Sequence, residues 1–497
     1  MPRSADYAKV ELEAVEESAP LPLPDSDTPF RILLMGDFTG RASRGVSDPS
    51  LKGRRPVLVD RDNFDRVMEK LEVELPSVRF GELDDFHPDR LYEQLPVFRT
   101  LRDARERLGD RATFKQAAAE MRAWAPARPA PAPRPAPSPD LARLTPDQLF
   151  SRMLDESAPA AAQRQSLPDP FDRLLREIVA PHLEPKPDPR QAELIAEVDE
   201  TTSGQMRAIL HHPEFQALEA AWRGLFFLVR ALETGTGLKL YILDVSPGEL
   251  ASFAVAEDMT ATPLFDIVVD QTVNTPGAEP WAVLAGNYTF ANTPQDLVTV
   301  RALGRLARAA GAPFLAAANP QILGCSSFAA APDPRTWAPD PQCARLWQAL
   351  RRAPEADWVG LVLPRFLLRL PYGESTDATE AFDFEEMPGA PAHEDYLWGN
   401  PVFACLLLMG EGFAEYGWSF RPDAYHEIGH LPVHLYKEAG ESVLKPCAEA
   451  LITERAAEAM IEGGLMPLVS LKDSDRVRLL RFQTIAEPPG ALPGRWA

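Results

Sequence analysis

Two arginines, a histidine and a run of carboxylates gather in one short stretch of this chain. From Asp357 to Pro401 it reads DWVGLVLPRFLLRLPYG, an acidic loop, then HEDYLWGNP. Arg365 and Arg369 punctuate RFLLRLP. Glu374, Asp377, Glu380, Asp383, Glu385 and Glu386 follow on a loop bounded by proline and glycine, and His393, Glu394 and Asp395 lead into Tyr396, Leu397 and Trp398. Guanidinium, carboxylate and imidazole groups are the materials of acid–base catalysis. The same groups build structural ion-pair networks. The apolar run Trp358 to Leu363 closes on Pro364 like a buried strand, and two prolines forbid a long helix through RFLLRLP. The stretch therefore reads as a strand, an ion-paired connection and a helix in a large core.

A second constellation is more specific. His426-Glu427-Ile428-Gly429-His430 is a formal H-E-x-x-H, with His434 four residues on. On a continuous helix His426 and His430 face one metal and Glu427 serves as general base. Pro422 and Pro432 bracket the motif, so at most two turns can form. LPVHLY reads as a strand, which turns His434 away, leaving Glu449 or Glu454 as distant third ligands. A zinc-dependent hydrolase using His426, Glu427 and His430 is the alternative function. The leading reading assigns no catalytic residue, no metal and no cofactor. Gly36-Asp37-Phe38-Thr39-Gly40-Arg41 follows the strand FRILLM but lacks G-x-x-x-x-G-K-[ST] and a following helix, which argues against a phosphate loop. His211 and His212 are nearest neighbours and point apart on a helix, so capping or packing is the reading.

The elements that must position these residues alternate along the chain. With 497 residues and 45% hydrophobic content there is material for two or three domains. The formal net charge of −22 repels phosphate backbones and excludes a nucleic-acid partner. Four scattered cysteines form no C-x-x-C pair and read as reduced thiols. No signal-peptide core or membrane-length apolar run is present, so a cytoplasmic location is expected and membrane insertion is not. Residues 7 to 15 (YAKVELEAV) alternate like an exposed strand on a proline tether, which suits addition to another sheet's edge; Val10, Leu12 and Ala14 are its apolar side. Asp62 or Asn63 caps a helix over FDRVMEKL. Trp124 to Pro139 is a Pro/Ala linker. Beyond Gln191, helical repeats alternate with the strands LKLYILDV and EPWAVLAGNYTF, Ser246 caps SPGEL, and Pro213 opens a helix after His212. This alternation argues an α/β fold.

Three ordered motifs, PFRILLMGDFTGR, RRPVLVDRDNFDRVM and LDDFHPDRLYEQLPVFRTLRDARERL, resemble the small (TssB/VipA-like) sheath subunit of the type VI secretion system's contractile tail. LHHPEFQALEAAWRGLFFLV, LKLYILDVSPGEL, EPWAVLAGNYTF, APFLAAANPQILG, VGLVLPRFLLRLPYG and HEDYLWGN resemble the large (TssC/VipB-like) subunit, in that family's order. The chain thus looks like a fusion: an arm (1–27), a small-subunit-like domain (28–123), a Pro-rich linker with connecting helices (124–190), a large-subunit-like domain (191–487) and a tail (488–497). The resemblance implies a structural, non-enzymatic sheath component whose two modules pack through apolar faces. It implies other sheath subunits, inner tube or baseplate proteins and the sheath-recycling ATPase as partners. It also implies a C-terminal region that this sequence lacks after FQTIAEPPGALPGRWA, which points to a specialised component that co-assembles with sheath or baseplate.

Overall fold

The computed structural model describes residues 23–124, 189–438 and 440–496. The arm strand expected at residues 7–15, with Val10, Leu12 and Ala14, lies outside the described residues, as does nearly all of the linker region.

Nine strands make the principal sheet: Phe30–Gly36 (β1), Val57–Val59 (β2), Leu238–Asp244 (β3), Val283–Phe290 (β4), Phe314–Ala318 (β5), Val359–Leu363 (β6), Glu427–Ile428 (β7), Leu465–Ser470 (β8) and Val477–Leu479 (β9). Their order is β7-β9-β8-β6-β5-β4-β1-β3-β2. β3, β1, β4, β5, β6 and β8 run parallel, whereas β2, β9 and β7 join antiparallel at the two sides. The inner strands are near-continuous apolar runs because parallel strands are covered on both faces. FRILLMG is one of these. Phe30 and residues Ile32 through Met35 have no exposed surface.

This placement changes the expectation of two modules meeting through apolar faces. β1 lies between β3 and β4 and pairs with both, Phe30 opposite Leu238 and Ile32 opposite Val283. The small-subunit-like segment is thus stitched into the middle of the sheet by backbone hydrogen bonds. A strand with apolar side chains on both faces has no stable place at a surface, which is the physical reason for the insertion.

Helices cover the sheet: Phe64–Leu71 (α1), Pro213–Ala231 (α2), Pro247–Ala254 (α3), Pro294–Ala310 (α4) and Val402–Tyr416 (α5). Leu33 and Met35 of β1 join Leu297, Val300 and Leu303 of α4 in one core. Alternation turns Ile32 and Leu34 to the opposite face. There α5 is buried almost all round from Val402 to Gly410. Asn63 stands at the start of α1 without a side-chain capping bond, so the expected cap is positional only, whereas the start signals of α2 and α3 are realised. Ser246 and Glu249 form a reciprocal capping box on α3, and His212 accepts from the Glu214 amide ahead of Pro213. Thr453 caps the helix Glu454–Glu462. Cys325, Cys343, Cys405 and Cys447 are free thiols.

A second compact unit spans Pro96–Thr202. In it the helices Pro96–Gly109 and Phe114–Trp124 and the first turns of Pro189–Leu210 gather Leu108, Ala117, Ala118 and Val198. Gln191 donates to the Leu108 carbonyl at 2.6 Å, and Arg105 pairs with Asp199 at 2.5 Å.

Candidate functional site

The charged residues between Asp357 and Pro401 divide into two clusters. The inner one centres on Arg369. Its Nε donates to Glu219 of α2 at 2.8 Å and its Nη1 to Glu386 at 2.8 Å, and the guanidinium lies over the Tyr372 ring at 4.3 Å. Both carboxylates are fully buried. Burial alone raises the Glu386 carboxyl, but Arg369, His211 and the Tyr372 amide outweigh it and hold it at about 2. Arg223, four residues beyond Glu219 on α2, pairs with it at 2.7 Å and donates to the Tyr372 hydroxyl at 2.8 Å. Burial pushes that phenol up to about 12. His211 stands 3.4 Å from both Glu386 and Asp395. The cluster locks the acidic loop onto the start of α2.

The outer cluster centres on Arg365, whose Nε donates to Glu449 at 2.7 Å and whose Nη2 reaches the exposed Glu394 at 3.2 Å. His393 lies 3.3 Å from Glu449 on one side and 3.3 Å from the Lys445 ammonium on the other. Burial raises the Glu449 carboxyl, and His393 and Arg365 more than reverse that. Glu374, Asp377, Glu380, Asp383 and Glu385 take no part in either centre. The expected stretch therefore holds two ion-paired centres.

A third network joins residues about two hundred positions apart in the sequence. Arg41 donates from Nε to Asp244 at 2.9 Å and from Nη1 to Glu249 at 2.5 Å, while Arg54 reaches the same Glu249 at 2.6 Å and 2.8 Å. Glu249 also accepts from the Asp48 and Ser246 amides. Burial works against the ionised Glu249, yet these donors drive its pKa far below the carboxylate range. It lies in SPGEL three residues beyond the Ser246 cap, but its arginine partners sit in the small-subunit-like segment. The network joins both segments at the carboxyl ends of β1 and β3.

The loop Gly36–Arg41 is likewise spent internally. The Phe38 and Thr39 amides donate to Asp244, and the Arg41 and Ala42 amides to Asp37. These are the donors that would cradle a phosphate. Gly40 has φ of +68°, and a Cβ there would lie 2.5 Å from the Glu74 carbonyl. Glycine is required for the close turn.

The zinc reading is corrected by local structure. Glu427–Ile428 is strand β7, paired with β9, so His426 and His430 do not share a helical face. Ile428 is buried and Glu427 binds Arg478 across the strands, a combination that rewards extended backbone. His430 is fully exposed with φ of +59°, and His434 bonds the Tyr396 hydroxyl at 2.7 Å. Glu449 belongs to Arg365. Among the described residues, no group of three or more His, Cys, Asp or Glu side chains is placed to hold a metal ion.

The fold and its charge networks define an α/β protein in which two separated sequence segments complete one sheet. The chain belongs to the type VI secretion tail sheath family. The family model described as the EvpB/VC_A0108 tail sheath N-terminal domain matches residues 192–486. That for "Type VI secretion system, VipA, VC_A0107 or Hcp2" matches residues 23–77. Small- and large-sheath sequences are thus fused in one chain. It is similar to the type VI secretion system sheath protein TssC1 of Pseudomonas aeruginosa, with 32% identity over 305 residues, which is 59% of this chain and 61% of that protein. The chain therefore spans about three fifths of the length of that relative.

Proposed function

We propose that this protein is a non-catalytic component of a type VI secretion sheath, acting in the cytoplasm by co-assembly with other sheath subunits. The observation that carries the reading is the shared sheet: both sheath-family segments contribute neighbouring inner strands, fastened by Arg41 and Arg54 on Glu249. Among the described residues no helix is long and apolar enough to cross a membrane. Contacts with inner tube, baseplate and recycling ATPase belong to the same proposal.

Val10, Leu12 and Ala14 are the interface residues we assign, on an arm that pairs with a sheet edge of a neighbouring subunit. What supports a strand-pairing surface is β7 itself. The Leu479 amide donates to the His426 carbonyl, so alternation turns the Glu427 N–H and C=O outward at the end of the sheet. The test is co-sedimentation of the purified chain with a pair of separate sheath subunits. The chain is expected in the pelleted assemblies, and Val10→Pro with Leu12→Pro is expected to release it. If the unaltered chain stays in the supernatant, the proposal fails. If the proline variant pellets equally, the arm assignment fails alone.

A further inference from the structure

A cavity of about 400 Å³ opens at the carboxyl ends of β4, β5 and β6, bordered by Thr289, Asn319, Ser326, Ser327 and Arg365. This is the edge of a parallel sheet at which open α/β folds receive ligands. We propose that the cavity is a binding site for a single carboxylate, carried either by a small organic acid or by an acidic side chain of a partner.

Three observations lead there. First, Arg365 is only partly used. Its Nε and Nη2 are engaged by Glu449 and Glu394, while Nη1 makes no hydrogen bond to the described residues. Second, the hold of Glu394 is replaceable. Its side chain is 72% exposed and it meets Arg365 at 3.2 Å, whereas Glu449 is 11% exposed and 2.5 Å away. An exposed pair of this kind contributes little. Third, an incoming carboxylate can take the place of Glu394 without changing the charge of the cluster, in which Arg365 and Lys445 meet Glu449 through His393 and Glu438 also acts on Lys445. It would accept from Arg365 Nη1 and Nη2 in the forked geometry that guanidinium favours. The hydroxyls of Thr289, Ser326 and Ser327, which bond no other side chain or backbone group among the described residues, supply further donors.

The site is independent of the sheath assignment, and its test needs no assembly. Glutarate and a capped Gly-Glu-Gly peptide are titrated onto the intact chain, with saturation-transfer NMR on the probe as readout. Saturable binding of either probe is expected, glutarate alone marking a free acid and the peptide marking a partner's side chain. Glu394→Gln removes the internal competitor and should tighten binding up to about fivefold. Arg365→Lys should weaken it by about tenfold or more. Glu394 is exposed, so its variant folds normally and keeps the test decisive if the Arg365 variant does not. No saturable signal at tens of millimolar, or a Glu394→Gln variant that binds no tighter, overturns the proposal.

Discussion

Replacing Arg369 by methionine should be among the most damaging single changes in the chain. The guanidinium is the shared counter-ion of Glu219 and Glu386, two carboxylates without exposed side-chain surface, and methionine fills similar volume without charge. Removing one partner of a buried pair costs about 3–5 kcal/mol, because the charge left behind is neither solvated nor balanced. The loss is unevenly divided. Glu219 keeps Arg223 at 2.7 Å, whereas Glu386 keeps only the Tyr372 amide at 2.8 Å and His211 at 3.4 Å. Most of the cost therefore falls on Glu386, and Arg369→Met combined with Glu386→Gln should recover part of it, since the amide still accepts from Tyr372 without an unbalanced charge. Urea unfolding at pH 7, followed by tryptophan fluorescence and far-UV circular dichroism, reads both variants. A lower midpoint at unchanged slope is expected for the single variant, and a smaller loss for the double. A single variant within about 1 kcal/mol of the parent, or a double variant worse than the single, would refute the reasoning.

Stability should also fall in acid. Glu386 is held at about 2, against an ordinary value near 4.5, so its contribution is complete above about pH 5 and lost as pH falls toward 2. The shift corresponds to roughly 3 kcal/mol, and unfolding measured from pH 7 to pH 3 should show a shallower loss once Arg369 is replaced. Cleaving the chain at a protease site placed in residues 125–188 should leave the two fragments co-eluting in native buffer, because β1 is bonded on both sides; separation without denaturant would contradict the shared sheet. Gly224→Ala sets a Cβ 2.3 Å from the Phe403 ring where α2 meets α5, and should cost about 1–3 kcal/mol in the same urea assay. His430→Gly should leave stability within about 1 kcal/mol of the parent, with no metal lost on chelation, since this exposed residue already holds a left-handed backbone.

Local chemistry made much of the fold readable. Ser246 and Pro213 announce helix starts through side-chain capping and a missing amide, and each does so in the structure. Buried strands such as Val359–Leu363 follow from apolar runs closed by proline. What could not be read was partnership across long sequence separation. Arg41 and Asp244 are 203 residues apart, and nothing in GDFTGR or LKLYILDV specifies that they meet. The position of FRILLM between β3 and β4 is of the same kind: its composition shows that it is buried on both faces but names no neighbours. HEIGH misleads for a different reason. The nine residues between Pro422 and Pro432 fit two helical turns or a short strand equally well, and the choice fell to Ile428 burial and the Glu427–Arg478 pair, neither visible locally.

The central claim is that the chain takes its place in a sheath. Electron microscopy of the purified protein, mixed with a pair of full-length sheath subunits and carrying a gold label on an introduced tag, tests this most directly. Label incorporated in, or capping, the tubular assemblies is the expected result. Tubes that form normally and remain unlabelled would contradict it.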